Sequence, residues 1–353
     1  MPETIGGDKR RTWPTGTETT ALGAILLTGA AGFIGFHVAR RLLERGDSVI
    51  GIDNLNDYYA VSLKRDRLAA LSASHPGFRF IPLDFADQAA LAENLAGHEI
   101  ARILHLGAQA GVRYSLENPH AYAQSNLVGH LNILELGRAR RVAHLVYASS
   151  SSVYGGNAVL PFRVEDRVDR PLSLYAATKK ADELMSETYA HLYRLPQTGL
   201  RFFTVYGPWG RPDMAMWLFA DAIFRGEPIK VFNNGDMRRD FTYIDDIVSG
   251  VIAALDHPAP DDGLVKAGGS TTPHRLYNIG NSRSESLLHM IDVLEQACGR
   301  KAERILLPMQ AGDVSDTFAD ISAIADDLGY TPTTTIEVGI PRFVEWFRDY
   351  RGL

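Results

Sequence analysis

A short apolar run, Ala24-Ile-Leu-Leu-Thr28, passes straight into Gly29-Ala-Ala-Gly32-Phe33-Ile34-Gly35, and an amphipathic period follows over Phe33–Glu44 with Val38, Leu42 and Leu43 on one face. A buried strand, a glycine turn and a helix, in that order, leave few folds open. Gly29 permits the tight turn, Gly32 lets the backbone approach a diphosphate, and Gly35 lets the helix pack on the strand. The unpaired N–H groups of the first helical turn then face the phosphates. Three spaced glycines alone mark many ordinary turns; set between strand and helix they point to a dinucleotide. Asp53 ends the next strand, about twenty residues on, where a carboxylate accepts hydrogen bonds from an adenosine ribose and repels a 2′-phosphate, favouring NAD over NADP. The competing reading of Asp53 is a turn or cap aspartate. Asp84-Phe85, after the third strand, is placed to flank the adenine.

The strand–helix alternation continues. Ser48–Ile52, Arg79–Pro82, Ile103–Leu106 and His144–Ala148 read as strands, Gly46 as a helix stop, and Tyr122–Leu136 and Leu174–Tyr193 as the longest helices. This rhythm predicts an α/β fold: a Rossmann-type doubly wound parallel sheet. After about residue 205 short strands such as Ile229–Phe232 and Leu276–Ile279 sit among helices, loops and prolines, and His257–Pro273 reads as an exposed loop. A smaller, interleaved α/β substrate-binding domain is expected there. The boundaries expected are a flexible extension over 1–21, a dinucleotide-binding domain over 22–205 with 241–258 returning to it, and a mainly substrate-binding domain over 206–240 and 259–353.

The fifth strand ends in Ser149-Ser150-Ser151-Ser152, and Tyr175-Ala-Ala-Thr-Lys179 follows on a predicted helix. Four residues apart, Tyr175 and Lys179 project from one face. A tyrosine hydroxyl ionises near ~10, so it is a poor base at neutral pH; lowering that by about three units takes about 4 kcal/mol. An ammonium about 4 Å away, at an effective dielectric near ~20, supplies roughly that much. Ser150 then hydrogen-bonds the substrate oxygen while Tyr175 takes its proton. A tyrosine–lysine pair alone is common on solvated helix faces, and a serine run is usually a loop. Their conjunction downstream of the glycine fingerprint points to redox chemistry at an alcohol carbon.

At this point the chain resembles the extended short-chain dehydrogenase/reductase (NAD-dependent epimerase/dehydratase) family, and within it the UDP-glucuronate 4-epimerases. The resemblance runs from Ala24 to Tyr350 and rests on Asp53-Asn-Leu-Asn-Asp-Tyr-Tyr59, Ala108-Gln-Ala-Gly-Val-Arg-Tyr-Ser115, Arg201-Phe-Phe-Thr-Val-Tyr-Gly-Pro-Trp-Gly-Arg-Pro-Asp-Met214 and Gly235-Asp-Met-Arg-Arg-Asp-Phe-Thr-Tyr243. It puts the catalytic trio on Ser150, Tyr175 and Lys179. It adds Asn54, Leu106, Ala108, Gln109, Ser125 and Phe202 to the cofactor set, although Phe202, like Trp209, reads equally well as a core aromatic. It implies NAD as cofactor and a reversible oxidation at C4 of a UDP-sugar, hydride returning to the opposite face. Residues 1–21 match nothing in the family, and Gly107 stands where many relatives have alanine.

With glucuronate as substrate, the C4 ketone is β to the C6 carboxylate, and CO₂ is lost when the breaking bond aligns with the carbonyl. The hydroxyls of Ser151, Ser152 and Thr204 are placed to clasp that carboxylate, with Arg211 or Arg113 adding charge. Related decarboxylases carry glutamate after the catalytic serine or threonine, and 4,6-dehydratases carry Asp-Glu; Ser151-Ser152 stands there in this chain. Two hydroxyls cannot do the acid–base work of two carboxyls near neutral pH. The resemblance also places the diphosphate on Arg239, the uracil on Lys230, Val231 and Phe232, and Asp313 in the substrate set. The alternatives weighed are a UDP-glucose 4-epimerase, a UDP-glucuronate decarboxylase and a non-enzymatic NAD-sensing protein.

A net charge of −6 argues against nucleic acid or a membrane surface as partner. The polar first 21 residues carry no signal-peptide core, and no apolar run is long enough to span a bilayer. Cys298 is the only cysteine, which excludes an intrachain disulfide and fits a reducing cytoplasm. The eleven histidines show no metal-ligand spacing, so no metal is expected. The resemblance implies a homodimer built on Tyr122–Leu136 and Leu174–Tyr193.

Overall fold

The computed structural model describes residues 23–310 and 314–353. The extension expected over residues 1–21 and the site residue Asp313 lie outside them. Seven parallel strands form one sheet: β1 (Ala24–Thr28), β2 (Val49–Asp53), β3 (Arg79–Pro82), β4 (Ile100–His105), β5 (His144–Ser150), β6 (Gln197–Phe202) and His274–Ile279. Read across the sheet, His274–Ile279 lies beside β6, and β5, β4, β1, β2 and β3 follow. The chain turns outward in both directions from β1 and β4, so the crevice between their carboxyl ends is the topological switch point at which such sheets bind ligands. Leu26 pairs with Ile50 on one side and Ile103 on the other; all three are buried, as expected of strands covered on both faces.

The first helix, α1 (Phe33–Arg45), buries Phe33, Phe36, Val38, Ala39 and Leu42 and stops at Gly46, whose φ of 94° makes the left-handed cap expected there. Leu174–Tyr193 is a continuous helix capped by Ser173, whose Oγ accepts from Ala176 N at 3.1 Å. The expected helix Tyr122–Leu136 lies within a longer helical run that carries a π-turn: Pro119–Tyr122, a π-helical turn over Ala123–Val128, then Gly129–Arg140, with helical backbone angles at both joints. The wider turn brings Asn126 inward, where its amide brackets the backbone of Gln109 and donates to Thr178 Oγ1 at 3.0 Å.

The strand expected over Leu276–Ile279 in the smaller half extends over His274–Ile279, joins the large sheet and pairs with β6 along its whole length, Phe202 opposite Ile279. Beyond β6, three short pairs build the rest: Thr204–Tyr206 with Phe241–Tyr243, Ile229–Val231 with Arg304–Leu306, and Arg238–Arg239 with Glu285–Ser286. The helix Ile244–Asp256 returns to pack on α1 and β5. One continuous apolar core runs from Leu27 and Val146 to Trp217 and Phe347, so the two halves share their interior. Among the described residues no helix is long and apolar enough to cross a membrane.

Candidate active site

The carboxyl ends of β1, β2, β4, β5 and β6 open into one cavity of about 1220 Å³. Its dinucleotide end is shaped by glycine. Gly29 sits at φ +72°, and a Cβ there would come within 2.8 Å of Gly107 backbone atoms; a Cβ on Gly35 would lie 2.0 Å from Gly29 O. No side chain caps α1, so its first-turn N–H groups remain for an anion. This cradle fits a dinucleotide diphosphate.

Asp53, buried at the rim, holds the loop from behind. It accepts from Ala31 N at 3.2 Å and Leu55 N at 2.9 Å, the contacts of a turn aspartate. Burial pushes its pKa up, and the buried ammonium of Lys64 works against that. Lys64 itself is pinned to Asn56 O at 2.7 Å and Asn56 Oδ1 at 2.9 Å. Phe85 reaches the cavity, its ring filling the space a Cβ on Gly107 or Gly129 would need, which accounts for glycine at 107. Asp84 does not line the cavity: its carboxylate accepts from Asn54 Nδ2 at 3.0 Å and Ala86 N at 2.8 Å. Gly32, Phe33, Ile34, Asn54, Leu106, Ala108, Gln109, Ser125 and Phe202 all line it. Trp209 does not; it packs in the core, 5.3 Å from both Phe36 and Trp346.

Midway along the cavity β5 delivers Ser150, and the helix Leu174–Tyr193 delivers Tyr175 and Lys179. Tyr175 is half-buried, its ring edge-on to Tyr122 at 6.0 Å. Ser150 Oγ accepts from Ser152 N at 3.1 Å, fixing the turn that presents Ser151 and Ser152. Lys179 departs from the simplest expectation. Its ammonium donates to Ala148 O at 2.8 Å and Asp182 Oδ2 at 3.1 Å, and not to the Tyr175 hydroxyl. A strut behind them ties the helix to the sheet: Arg201 grips Glu183 at 2.8 and 3.0 Å, and Ser149 donates to the same carboxylate at 2.7 Å.

The same cavity is also lined by Ser151, Ser152, Thr204, Arg113, Arg211, Lys230, Phe232 and Arg239. Arg211 is not a bare cation: it pairs in bidentate fashion with Asp213, at 3.0 and 2.5 Å, and Tyr58 donates to the same carboxylate at 3.0 Å. Burial pushes Asp213 up, but Arg211 outweighs it and holds the carboxyl below its ordinary range. The Arg113 guanidinium lies 5.1 Å over the Phe232 ring. Arg239 donates to Val314 O at 2.6 Å and Ser315 O at 2.8 Å, anchoring that segment at the cavity mouth. Val231 turns its side chain into the core, leaving Lys230 and Phe232 to face the opening. No histidine lines the cavity among the described residues.

Residue-type reasoning passed over Tyr58, Lys64, Arg67, Asn126, Asp182 and Asp213. Tyr58 and Asp213 lie inside the long motifs quoted above; the others carry no local signal and become visible only through their partners. Arg67 is fully buried and donates to Ala31 O, Tyr59 Oη, Trp209 O and Gly210 O, tying the glycine loop to the loop that carries Arg211.

Over residues 25–280 the chain matches the NAD dependent epimerase/dehydratase family. It is 48% identical over 335 residues to a probable UDP-glucuronate 4-epimerase of Rhizobium meliloti, covering 92% of this chain and 97% of the relative. It is 46% identical over 334 residues to UDP-glucuronate 4-epimerase 1 of Arabidopsis thaliana, covering 93% and 77%. Among solved structures, the UDP-glucuronic acid 4-epimerase of Bacillus cereus in complex with UDP-glucuronic acid and NAD has a TM-score of 0.82 at 32% identity, covering 93% of this chain and 99% of that one.

Proposed function

The chain belongs to the NAD dependent epimerase/dehydratase family, and from that premise we infer that it interconverts UDP-glucuronate and UDP-galacturonate by 4-epimerisation through a transient 4-keto sugar. What supports the reading is one cavity lined by a glycine cradle, the trio Ser150, Tyr175 and Lys179, and the hydroxyls of Ser151, Ser152 and Thr204. NAD is the cofactor, held by the cradle of Gly29, Gly32 and Gly35 and by Asp53; when bound it supplies the acceptor and donor of the C4 hydride. Tyr175 takes the proton of the C4 hydroxyl and returns it, Ser150 hydrogen-bonds that oxygen, and Lys179 supplies positive charge close to the phenol. The seven-stranded half carries the dinucleotide, and the half built around residues 206–240 carries the nucleotide sugar, Arg239, Lys230 and Phe232 serving the UDP.

Ser151, Ser152 and Thr204 offer the sugar carboxylate hydroxyl donors and no second acid. They can hold it out of alignment with the C4 carbonyl, and they lack the protonation chemistry that elimination at C5 and C6 needs. Arg211, already engaged by Asp213, adds its charge at the rim of that clasp. Incubation with UDP-glucuronate and separation of the products tests the whole reading. UDP-galacturonate without release of CO₂ supports it. A UDP-pentose would mean a decarboxylase, turnover of UDP-glucose alone a glucose epimerase, and binding of NAD with no turnover of either sugar a sensor.

The protein acts as a homodimer joined through Leu174–Tyr193 and the neighbouring segment 119–140, which leave Leu184 57%, Leu192 60% and Leu131 41% exposed. It works in the cytoplasm, consistent with a single, buried cysteine, Cys298.

A further inference from the structure

Lys179 shares its pocket with a second acid. Its ammonium is 3% exposed and Asp182 is 1% exposed, with Nζ and Oδ2 3.1 Å apart. The other carboxyl oxygen of Asp182, Oδ1, is buried and has no hydrogen-bond partner among the described residues. A carboxylate with one bare oxygen in the interior is poorly solvated and depends on its counter-charge. Among the described residues, the neighbouring ionisable groups supply no second cation. On the same helix, Glu183 is committed to Arg201 and Lys180. On Gly129–Arg140, His130 turns Nε2 to Ser186, and His105 of β4 stacks on it at 5.3 Å. Tyr147 of β5 packs against His130 at 5.2 Å. Burial holds both imidazoles far below their ordinary pKa, so they are neutral.

We propose that Asp182 is a positioning residue for proton transfer at Tyr175: it fixes the Lys179 ammonium against Ala148 and, when ionised, takes up positive charge that a Tyr175 phenolate would otherwise draw on. This role rests on the epimerase reading for its substrate, but its test does not need the substrate. Burial pushes the Asp182 carboxyl up to about 7, against the pull of Lys179, so its charge changes close to neutral pH. Two acids then compete for one ammonium, and each gives up its proton less readily once the other has done so.

The measurement is a titration of phenolate absorbance in NAD-loaded protein, with the Tyr175→Phe spectrum subtracted to isolate Tyr175. Removing the negative charge leaves more of the Lys179 charge to act on the phenol, so in Asp182→Asn the Tyr175 phenolate appears at lower pH, by on the order of one unit. The acid limb of kcat/KM for UDP-glucuronate moves the same way. Asp182→Ser also removes the charge and must show the same displacement, which keeps the test decisive if the asparagine variant does not fold. Asp182→Glu keeps the charge and must keep the wild-type titration. A carboxyl that merely props the helix would lower thermal stability and leave the phenolate titration in place; that result in a folded Asp182→Asn or Asp182→Ser protein overturns the proposal. Wild-type protein that binds NAD but does not turn over UDP-glucuronate overturns the substrate reading alone, because the phenolate titration still decides the role of Asp182.

Discussion

Replacing Tyr175 by phenylalanine removes one oxygen from the cavity wall and leaves the ring packed edge-on against Tyr122. Turnover of UDP-glucuronate should fall by roughly 10²–10⁴-fold, the usual worth of a positioned proton acceptor, while the protein still binds NAD. Turnover near the wild-type rate would remove Tyr175 from the chemistry. Arg67 makes a different kind of contribution. Its guanidinium is wholly buried, and no carboxylate lies within salt-bridge distance among the described residues; it spends its donors on Ala31, Tyr59, Trp209 and Gly210. Arg67→Met strands three backbone carbonyls, at about 1–3 kcal/mol for each buried acceptor left unpaired. The expected result is a lower melting temperature together with less NAD retained through purification. Lysine in its place, with one ammonium for acceptors on both loops, recovers only part of either. Loss of stability with full NAD retention would make Arg67 a core strut with no hold on the cofactor loop.

The helix Leu174–Tyr193 concentrates much of the design in one element. Its inner face carries Tyr175, Lys179, Asp182, Glu183 and Ser186 at three- and four-residue spacings. Burial pushes Glu183 up, but Arg201 outweighs it and holds the carboxyl below its ordinary range. Glu183→Gln leaves the Arg201 charge buried and unpaired, and denaturant unfolding should register a loss of about 3–5 kcal/mol. The outer face, with Leu184 and Leu192 exposed, is the face assigned to the dimer. Leu184→Glu should therefore shift the mass in light scattering from two chains to one, and a wild-type chain already monomeric would discard that interface. Local periodicity made these elements readable: the limits of Leu174–Tyr193, the cap at Gly46 and the glycine turn all follow from neighbours within a few residues. Features set by distant partners were not readable. His274–Ile279 is placed by its pairing with β6, and the π-turn at Ala123–Val128 accompanies contacts of Asn126 with Gln109 and Thr178, which lie far off in sequence. At the site, the spacing of Ser150, Tyr175 and Lys179 was enough to bring them to one cavity, whereas Asp213 on Arg211 and Asp182 on Lys179 are pairings that only the folded chain reveals.

At the scale of the whole molecule, the doubly wound sheet buries many imidazoles in their neutral form. Burial pushes His37, His130 and His144 down to about 3, and His105 well below its ordinary value. An unfolded chain binds these protons near pH ~6.5 and the folded chain does not, so stability is full above that pH and is lost as pH falls. Buried carboxyls oppose the trend. Asp182, raised to about 7, and Asp240, raised to about 6, keep protons in the fold that the unfolded chain has released, as does Asp53 to a degree set by its burial. The two sets partly cancel, so the overall acid slope says little about any one group, and a difference between variants isolates one. His144 is the cleanest choice, for it lies far from the cavity and makes two contacts, Nδ1 to Leu255 O at 3.1 Å and Nε2 to Thr198 Oγ1 at 3.0 Å. Glutamine can replace the donor to Leu255 without titrating. In His144→Gln, the fall in unfolding free energy between about pH 6 and pH 4 should be shallower than in the wild type by about 1.4 kcal/mol per pH unit, one proton's worth. Denaturant unfolding at several pH values gives both slopes. Equal slopes would mean that His144 charges within the folded chain, and that burial beneath β5 and β6 does not hold it neutral.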